Sequence, residues 1–249
     1  MKKWIQNLIM ILCIVAFVFF GYQIYNYYKE EKEQEKLRDS LIEDAIIKNT
    51  SQNQIDDETK SNNTPIEIDF NVLKSKNKDI VAWIYSEGTP INYPIAQTVN
   101  NDYYLRRLID GTYNQAGTIF MDYKNSNDFS DFNTIIYGHN MKNNSMFGTL
   151  TNYKNQDYYN EHKEMFLYTE NKKFKIEIFA GFVTSSESDI YVYPKTSSTN
   201  KKLIDNALEK STFSSKVEVS NEDKIITLST CDYDFENARY VLLGVLKEM

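Results

Sequence analysis

Cysteine and histidine are scarce: the 249 residues contain 2 of each. Two cysteines exclude a disulfide scaffold, and two histidines leave too few ligands for a Cys/His zinc cage. Cys13 sits inside an N-terminal apolar run, so it is not expected to meet Cys231 near the other end. No run of alternating acids ending in Glu marks an EF-hand, and no internal repeat of useful length occurs; with Asp and Glu plentiful, a carboxylate metal site stays open. Positive charge is short as well. The 28 Lys+Arg face 35 Asp+Glu, and a net charge of −7 argues against a sequence-independent nucleic-acid binder, which needs a basic face. What is abundant is aromatic, β-favouring material: 19 Tyr and 14 Phe, enough for one substantial core.

The longest apolar run lies at the start. Met1-Lys2-Lys3 precedes Trp4 to Tyr22, whose centre, Leu8 to Phe20, carries no polar residue. That is close to the ~20 residues a membrane helix needs, with Trp4 and Tyr22 placed as interfacial anchors. A cleaved signal peptide is the alternative, but the bulky Phe17-Val18-Phe19-Phe20 offers no small-x-small cleavage pattern. An uncleaved single-pass anchor over residues 1–28 is the expectation. Orientation stays open from charge alone. Lys29, Lys32, Lys36 and Arg38 follow the run, although long domains translocate largely regardless of charge.

Residues 29–64 read as a helical and linker segment. Lys29 to Lys48 has no Gly or Pro and favours a helix, while Thr50 to Thr64 is rich in Asn, Ser, Asp and Gln and reads as a joint. A single domain is expected over 65–249, built mostly of short strands. Gly117 to Tyr123 and Asn133 to Tyr137 are strand-like. Lys173-Phe174-Lys175-Ile176-Glu177-Ile178 alternates charge and apolar groups, as a half-exposed strand requires. Lys224 to Thr230 and Tyr240 to Leu246 are continuously apolar, as in strands buried on both faces. Helical pieces are expected at Asn101 to Leu108 and, capped by Thr199-Asn200, up to Lys210, with Leu203, Ile204, Ala207 and Leu208 on one stripe. Strands that follow one another without regular βαβ alternation predict a mainly β fold, a closed or nearly closed mixed barrel with peripheral helices.

Three side chains carry the chemistry. Cys231 ends the run Ile225 to Cys231, after Ser229-Thr230 and before the acidic Asp232-Tyr233-Asp234. A lone thiol there is either a small buried hydrophobe or a nucleophile, and only its thiolate attacks a carbonyl well. His139, in Tyr137-Gly138-His139-Asn140, is placed at a loop mouth, either without duty or as a proton donor and acceptor. His162 lies among charged residues and reads as a surface histidine. Arg239 opens an apolar strand. If that strand pairs with the Cys231 strand across the short loop, its forked guanidinium can hold an oxyanion or a substrate carbonyl, as a lysine would not.

Thr227-Leu228-Ser229-Thr230-Cys231 resembles the TLxTC signature of sortases, and Gly138-His139-Asn140 with Arg239 completes that family's Cys–His–Arg set. Ile91-Asn92-Tyr93-Pro94-Ile95, Asn101-Asp102-Tyr103-Tyr104-Leu105 and Gly117-Thr118-Ile119-Phe120-Met121-Asp122 resemble class B sortases in particular. The likeness covers roughly Ile66 to the C-terminus. It implies a closed mixed barrel of about eight strands, N-terminal helices before it and a long helix inserted before the penultimate strands. It also implies no organic cofactor and an exported, membrane-anchored enzyme on a Gram-positive cell. By carry-over, Cys231 is the nucleophile, His139 general acid and then base, and Arg239 the clamp. Ser229 and Thr230 line the groove, Asn92 lies near substrate, and Tyr191 with Tyr193 forms an aromatic wall or merely packs. The reaction implied cleaves a C-terminal sorting signal of a surface protein after Thr, through a thioester, and passes the protein to an amine of a peptidoglycan precursor. The Cys231-to-Arg239 spacing looks tighter than in some class B members, so contacts of that loop are not carried over. A pilin polymerase, a hydrolytic cysteine peptidase and a non-catalytic tethered binding domain are the competing expectations.

Overall fold

A computed structural model describes residues 3–47 and 64–249. Two compact units divide the chain, Met1–Ser40 and Leu41–Met249. Helix α1 (Lys3–Ala45) makes up the first as far as Ser40 and ends in the second; it is unbroken by Pro and long and apolar enough by length and composition to cross a membrane. Its apolar side chains, among them Leu8, Ile11, Val15 and Phe19, are exposed, as lipid-facing groups would be. The anchor and the following helix predicted separately are therefore one helix, ending at Ala45. Most of the expected joint, residues 50–63, lies outside the described residues.

In the second unit, the end of α1 runs into β1 (Ile46–Ile47), which pairs with β2 (Glu67–Ile68). Helix α2 (Phe70–Lys76) starts at Asp69, whose carboxylate accepts from the Asn71 and Val72 backbone N–H groups, satisfying donors the first turn leaves free. Eight strands then close a barrel: β3 (Ile80–Tyr85), β4 (Asn92–Ala96), β5 (Phe120–Met121), β6 (Asn133–Tyr137), β7 (Glu164–Tyr168), β8 (Lys173–Ser185), β9 (Ile225–Cys231) and β10 (Ala238–Glu248). The order around the barrel is β10-β8-β7-β3-β4-β5-β6-β9, with β4–β5 and β6–β9 parallel and the other pairs antiparallel. This is the mixed barrel the sequence predicts.

Alternation decides which way each strand faces. On β8, Phe174, Ile176 and Ile178 point into the barrel core while Lys173, Lys175 and Glu177 are partly exposed. β9 and β10 are buried on both faces. Ile226, Leu228, Tyr240 and Leu242 join the barrel interior, whereas Ile225, Val241, Leu243 and Val245 form a second, outer cluster. Helix α4 (Ser197–Lys210) covers that outer cluster with Leu203, Ile204 and Ala207. Two expectations for α4 need correction. Thr196, not Thr199-Asn200, is its N-cap, in a reciprocal capping box with Thr199, and Leu208 faces solvent. The helix predicted over Asn101 to Leu108 shrinks to one 3-10 turn, Tyr104–Arg106, and the strand predicted over Gly117 to Tyr123 to Phe120–Met121. His162 caps the end of the short helix α3 (Gln156–Glu161), its ring against Tyr158.

Candidate active site

Register brings the three predicted side chains together. In the antiparallel β9–β10 pair Cys231 stands directly opposite Arg239. In the parallel β6–β9 pair Tyr137 stands opposite Ser229, and Gly138 extends the ladder by donating its N–H to the Ser229 carbonyl at 3.1 Å. His139 thus leaves β6 level with Cys231. Because side chains alternate, Ser229, Cys231, Arg239 and Val241 share the outer face, whose far part α4 covers. Where that cover ends, a cleft of ≈ 360 Å³ opens, lined by Cys231, His139, Arg239, Ser229, Thr230 and Tyr191 together with Asn101, Leu105, Phe120 and Tyr137.

Local bonds hold each part. The Asn140 amide donates to the Cys231 carbonyl at 2.8 Å, tying the β6 exit to the thiol-bearing residue across 91 positions of sequence. The His139 Nε2 lies 2.7 Å from the Leu105 carbonyl. A carbonyl only accepts, so Nε2 carries its hydrogen and Nδ1 is the nitrogen that gains and loses the exchangeable proton. Burial lowers the affinity of the His139 ring for that proton, against the pull of the Leu105 carbonyl, and the nearby Arg106 and Arg239 lower it further. The imidazole therefore rests neutral around pH 7. Gly117, at φ +58°, permits the local approach: a Cβ there would lie 2.6 Å from the carbonyl oxygens of both Tyr104 and Leu105.

The cleft wall is aromatic. Phe120 packs on Tyr137 with ring centres 5.3 Å apart, and Tyr137 stacks on Tyr191 at 6.3 Å. The Tyr191 and Ser229 hydroxyls are hydrogen-bonded at 2.8 Å, and burial pushes the Tyr191 phenol up. Behind this wall Asp122, 2% exposed, accepts from the Asn101 amide at 2.8 Å and from the Tyr137 hydroxyl at 3.0 Å. Thr230 is buried at the cleft edge and its hydroxyl has no hydrogen-bond partner.

Asn92 lies elsewhere. It opens β4, pairs with Tyr85 and accepts from the Trp83 indole at 2.7 Å, and it is not among the cleft residues. The asparagine that lines the cleft is Asn101, together with Leu105 and Tyr137, none of which sequence reasoning placed there. Asn101 and Leu105 both belong to the family-like stretch Asn101 to Leu105, which was the signal available. Among the described residues no group of three His, Cys, Asp or Glu side chains is placed to hold a metal ion.

The sortase domain model matches residues 84–247. Sortase B of Listeria monocytogenes is 35% identical over 251 aligned residues, covering 98% of this chain and 98% of that one. The crystal structure of sortase B from B. anthracis superposes with a TM-score of 0.74 at 30% identity, over 91% of this chain and 100% of that one. A sortase B structure complexed with triglycine superposes with a TM-score of 0.68 at 27% identity, over 92% and 99%. With full-length similarity, an eight-stranded closed barrel and the family's signature at the end of β9, the chain belongs to the sortase family of transpeptidases, on its sortase B branch.

Proposed function

We propose that this sortase cleaves a C-terminal sorting signal of a surface protein after Thr and transfers the protein to an amine of a peptidoglycan precursor. The observation that carries the reading is the convergence of Cys231, Arg239 and His139 on one cleft through two strand registers. His139, neutral at rest, takes the proton of the Cys231 thiol, and the thiolate so formed adds to the carbonyl carbon of the Thr residue. Arg239, opposite it on β10, offers a fixed positive charge to the oxyanion. The C–N bond breaks as protonated His139 gives its proton to the leaving amine, and a thioester on Cys231 remains. The second half reverses these roles. Neutral His139 takes a proton from the incoming amine, which attacks the thioester, expels the thiolate and forms a new amide. The thioester keeps much of the acyl-transfer potential of the first bond, so no nucleotide co-substrate enters.

The apolar half of α1 is read as a single-pass anchor, with the catalytic unit outside the membrane where sorting signals and wall precursors meet. The solved complex of a sortase B with triglycine supports a glycine-type amine as acceptor. Ser229, Thr230 and Tyr191, with Asn101, Leu105 and Tyr137, are assigned to hold the sorting peptide.

The test is mass spectrometry of the full chain incubated with a sorting peptide, with and without triglycine. A thioester adduct on Cys231 that triglycine converts to a peptide–triglycine product is expected, and Cys231→Ala forms neither. Unchanged cleavage by Cys231→Ala removes the nucleophile assignment. Hydrolysed peptide alone, with triglycine present, makes the enzyme a peptidase. Preference for a lysine side-chain amine over triglycine makes it a pilin polymerase.

A further inference from the structure

The residue after the nucleophile is a buried carboxylate. Asp232 has a side chain 3% exposed, and it continues the β9–β10 ladder by donating its N–H to the Ala238 carbonyl at 2.9 Å. Following Cys231 in an extended chain, it turns the other way, toward the barrel mouth, where its charge is felt by the inward-facing Tyr240 phenol. An unpaired carboxylate there would oppose ionisation of the neighbouring thiol, since a like charge disfavours the charged form of its neighbour.

Lys154 ends the 3-10 segment Gly148–Lys154, far in sequence from the thiol, and reaches Asp232 from there. Its ammonium lies 3.0 Å from a carboxylate oxygen of Asp232 and 3.0 Å from both oxygens of Asp234. The other Asp232 oxygen also accepts the N–H groups of Tyr233 and Asp234, at 2.8 and 3.0 Å. One cation therefore closes the loop that leaves the nucleophile, while Asn140 holds the Cys231 carbonyl from the β6 side. Burial would push the Asp232 carboxyl up, yet the Lys154 ammonium and these N–H donors outweigh it and hold it below its ordinary value.

We propose that Lys154 is a positioning residue for the transpeptidation site: it neutralises the buried Asp232 carboxylate and clamps the loop after Cys231, so that the thiol ionises without facing an uncompensated negative charge. The inference rests on Cys231 being the nucleophile and deepens that reading. The titratable and charged groups that share the cleft with the thiol are His139, Arg239, Tyr191, Tyr137 and Asp102; those around Asp232 are Lys154, Asp234 and Tyr240. Lys154 touches neither thiol nor cleft, so its effect has to travel through Asp232.

The experiment is the pH profile of Cys231 alkylation by iodoacetamide on the full chain in detergent, read on the Cys231 peptide so that Cys13 does not contribute. Lys154→Met is expected to move the profile to higher pH and to slow alkylation at pH 7 by about three- to tenfold. Lys154→Arg keeps the wild-type profile, and Asp232→Asn moves it to lower pH. Lys154→Met/Asp232→Asn, which leaves no buried charge, returns it close to wild type. If Lys154→Met does not fold, Asp232→Asn and the double variant decide. A profile that stays in place in Asp232→Asn, or a folded double variant as slow as Lys154→Met, overturns the proposal. The readout needs no sorting peptide, so failure of Cys231→Ala to abolish cleavage would sink the proposed function and leave this result standing on its own.

Discussion

His139 is set by its neighbours as much as by its own chemistry. Burial is the largest influence on its ring, and two guanidiniums, Arg106 and Arg239, add to it. Arg239 also belongs to the site, but Arg106 is exposed and bonded to Gln115, so its charge can be removed on its own. In Arg106→Gln the imidazolium loses a repelling cation, and its pKa should rise toward the ordinary histidine value. NMR titration of the His139 ring checks this: a titration that stays in place or moves down contradicts the placement of Arg106. The same variant should shift the acidic limb of the transpeptidation rate upward in pH, because more of the ring is protonated at any given pH. Tyr191 offers a second test at this scale. Its hydroxyl holds Ser229, while its ring stacks on Tyr137. Tyr191→Phe keeps the stack and loses one hydrogen bond, so a rise in KM for the sorting peptide of about tenfold or less is expected, with Cys231 alkylation unchanged. An altered alkylation rate would mean that Tyr191 acts on the thiol rather than on the groove.

At the scale of elements, the turn out of β6 is the critical piece. Gly138 sits between the ladder and His139, and a Cβ there would lie 2.6 Å from the buried Phe147 ring. Phe147 in turn donates its N–H to the His139 carbonyl. Gly138→Ala must therefore push either the ring or the turn. A loss of about 1–3 kcal/mol in stability is expected, with transpeptidation falling by more than the unfolded fraction explains. An alanine variant of wild-type stability and rate would show that the turn has slack. This element also marks how far the sequence could be read. Apolar continuity identified β9 and β10 as strands buried on both faces, and the charge alternation of Lys173 to Ile178 identified the start of β8. Strand β4 carries Pro94 amid apolar residues, and β7 runs Met165, Phe166, Leu167, Tyr168, with no alternation to announce either. Register was out of reach for a different reason. That Tyr137 faces Ser229 depends on a parallel pairing between segments some 90 residues apart, fixed by the closure of the whole barrel rather than by local pattern. For the same reason Cys231, His139 and Arg239 could be singled out by type and motif, whereas Asn101, Asn140 and Lys154, whose places depend on what they touch, could not.

At the scale of the molecule, the catalytic unit begins before the barrel does. Leu41 and Ala45, at the end of α1, are 3% and 1% exposed within it, and the Ala45 carbonyl accepts the Asp69 N–H at 2.8 Å. Lys76 on α2 pairs with Asp44 at 3.0 Å, and β1 pairs with β2. A soluble form starting at residue 65 discards the partners on one side of every one of these contacts. The ion pair is half-exposed and adds little, but two buried apolar side chains and a strand pair are worth about 3 kcal/mol. For a unit of this size that corresponds to a melting temperature lower by about 6–12 °C. Two soluble forms compared by calorimetry, one starting at Leu41 and one at Pro65, test it. The proposed trio sits at the ends of β6, β9 and β10, and β1–β2 is a sheet separate from the barrel. The shorter form should therefore retain the transpeptidation rate of the longer one at 20 °C and lose it at a lower temperature. Equal melting temperatures would show that the end of α1 contributes nothing to the catalytic unit. A lower rate at 20 °C in a fully folded short form would show that the end of α1 reaches the cleft through the barrel.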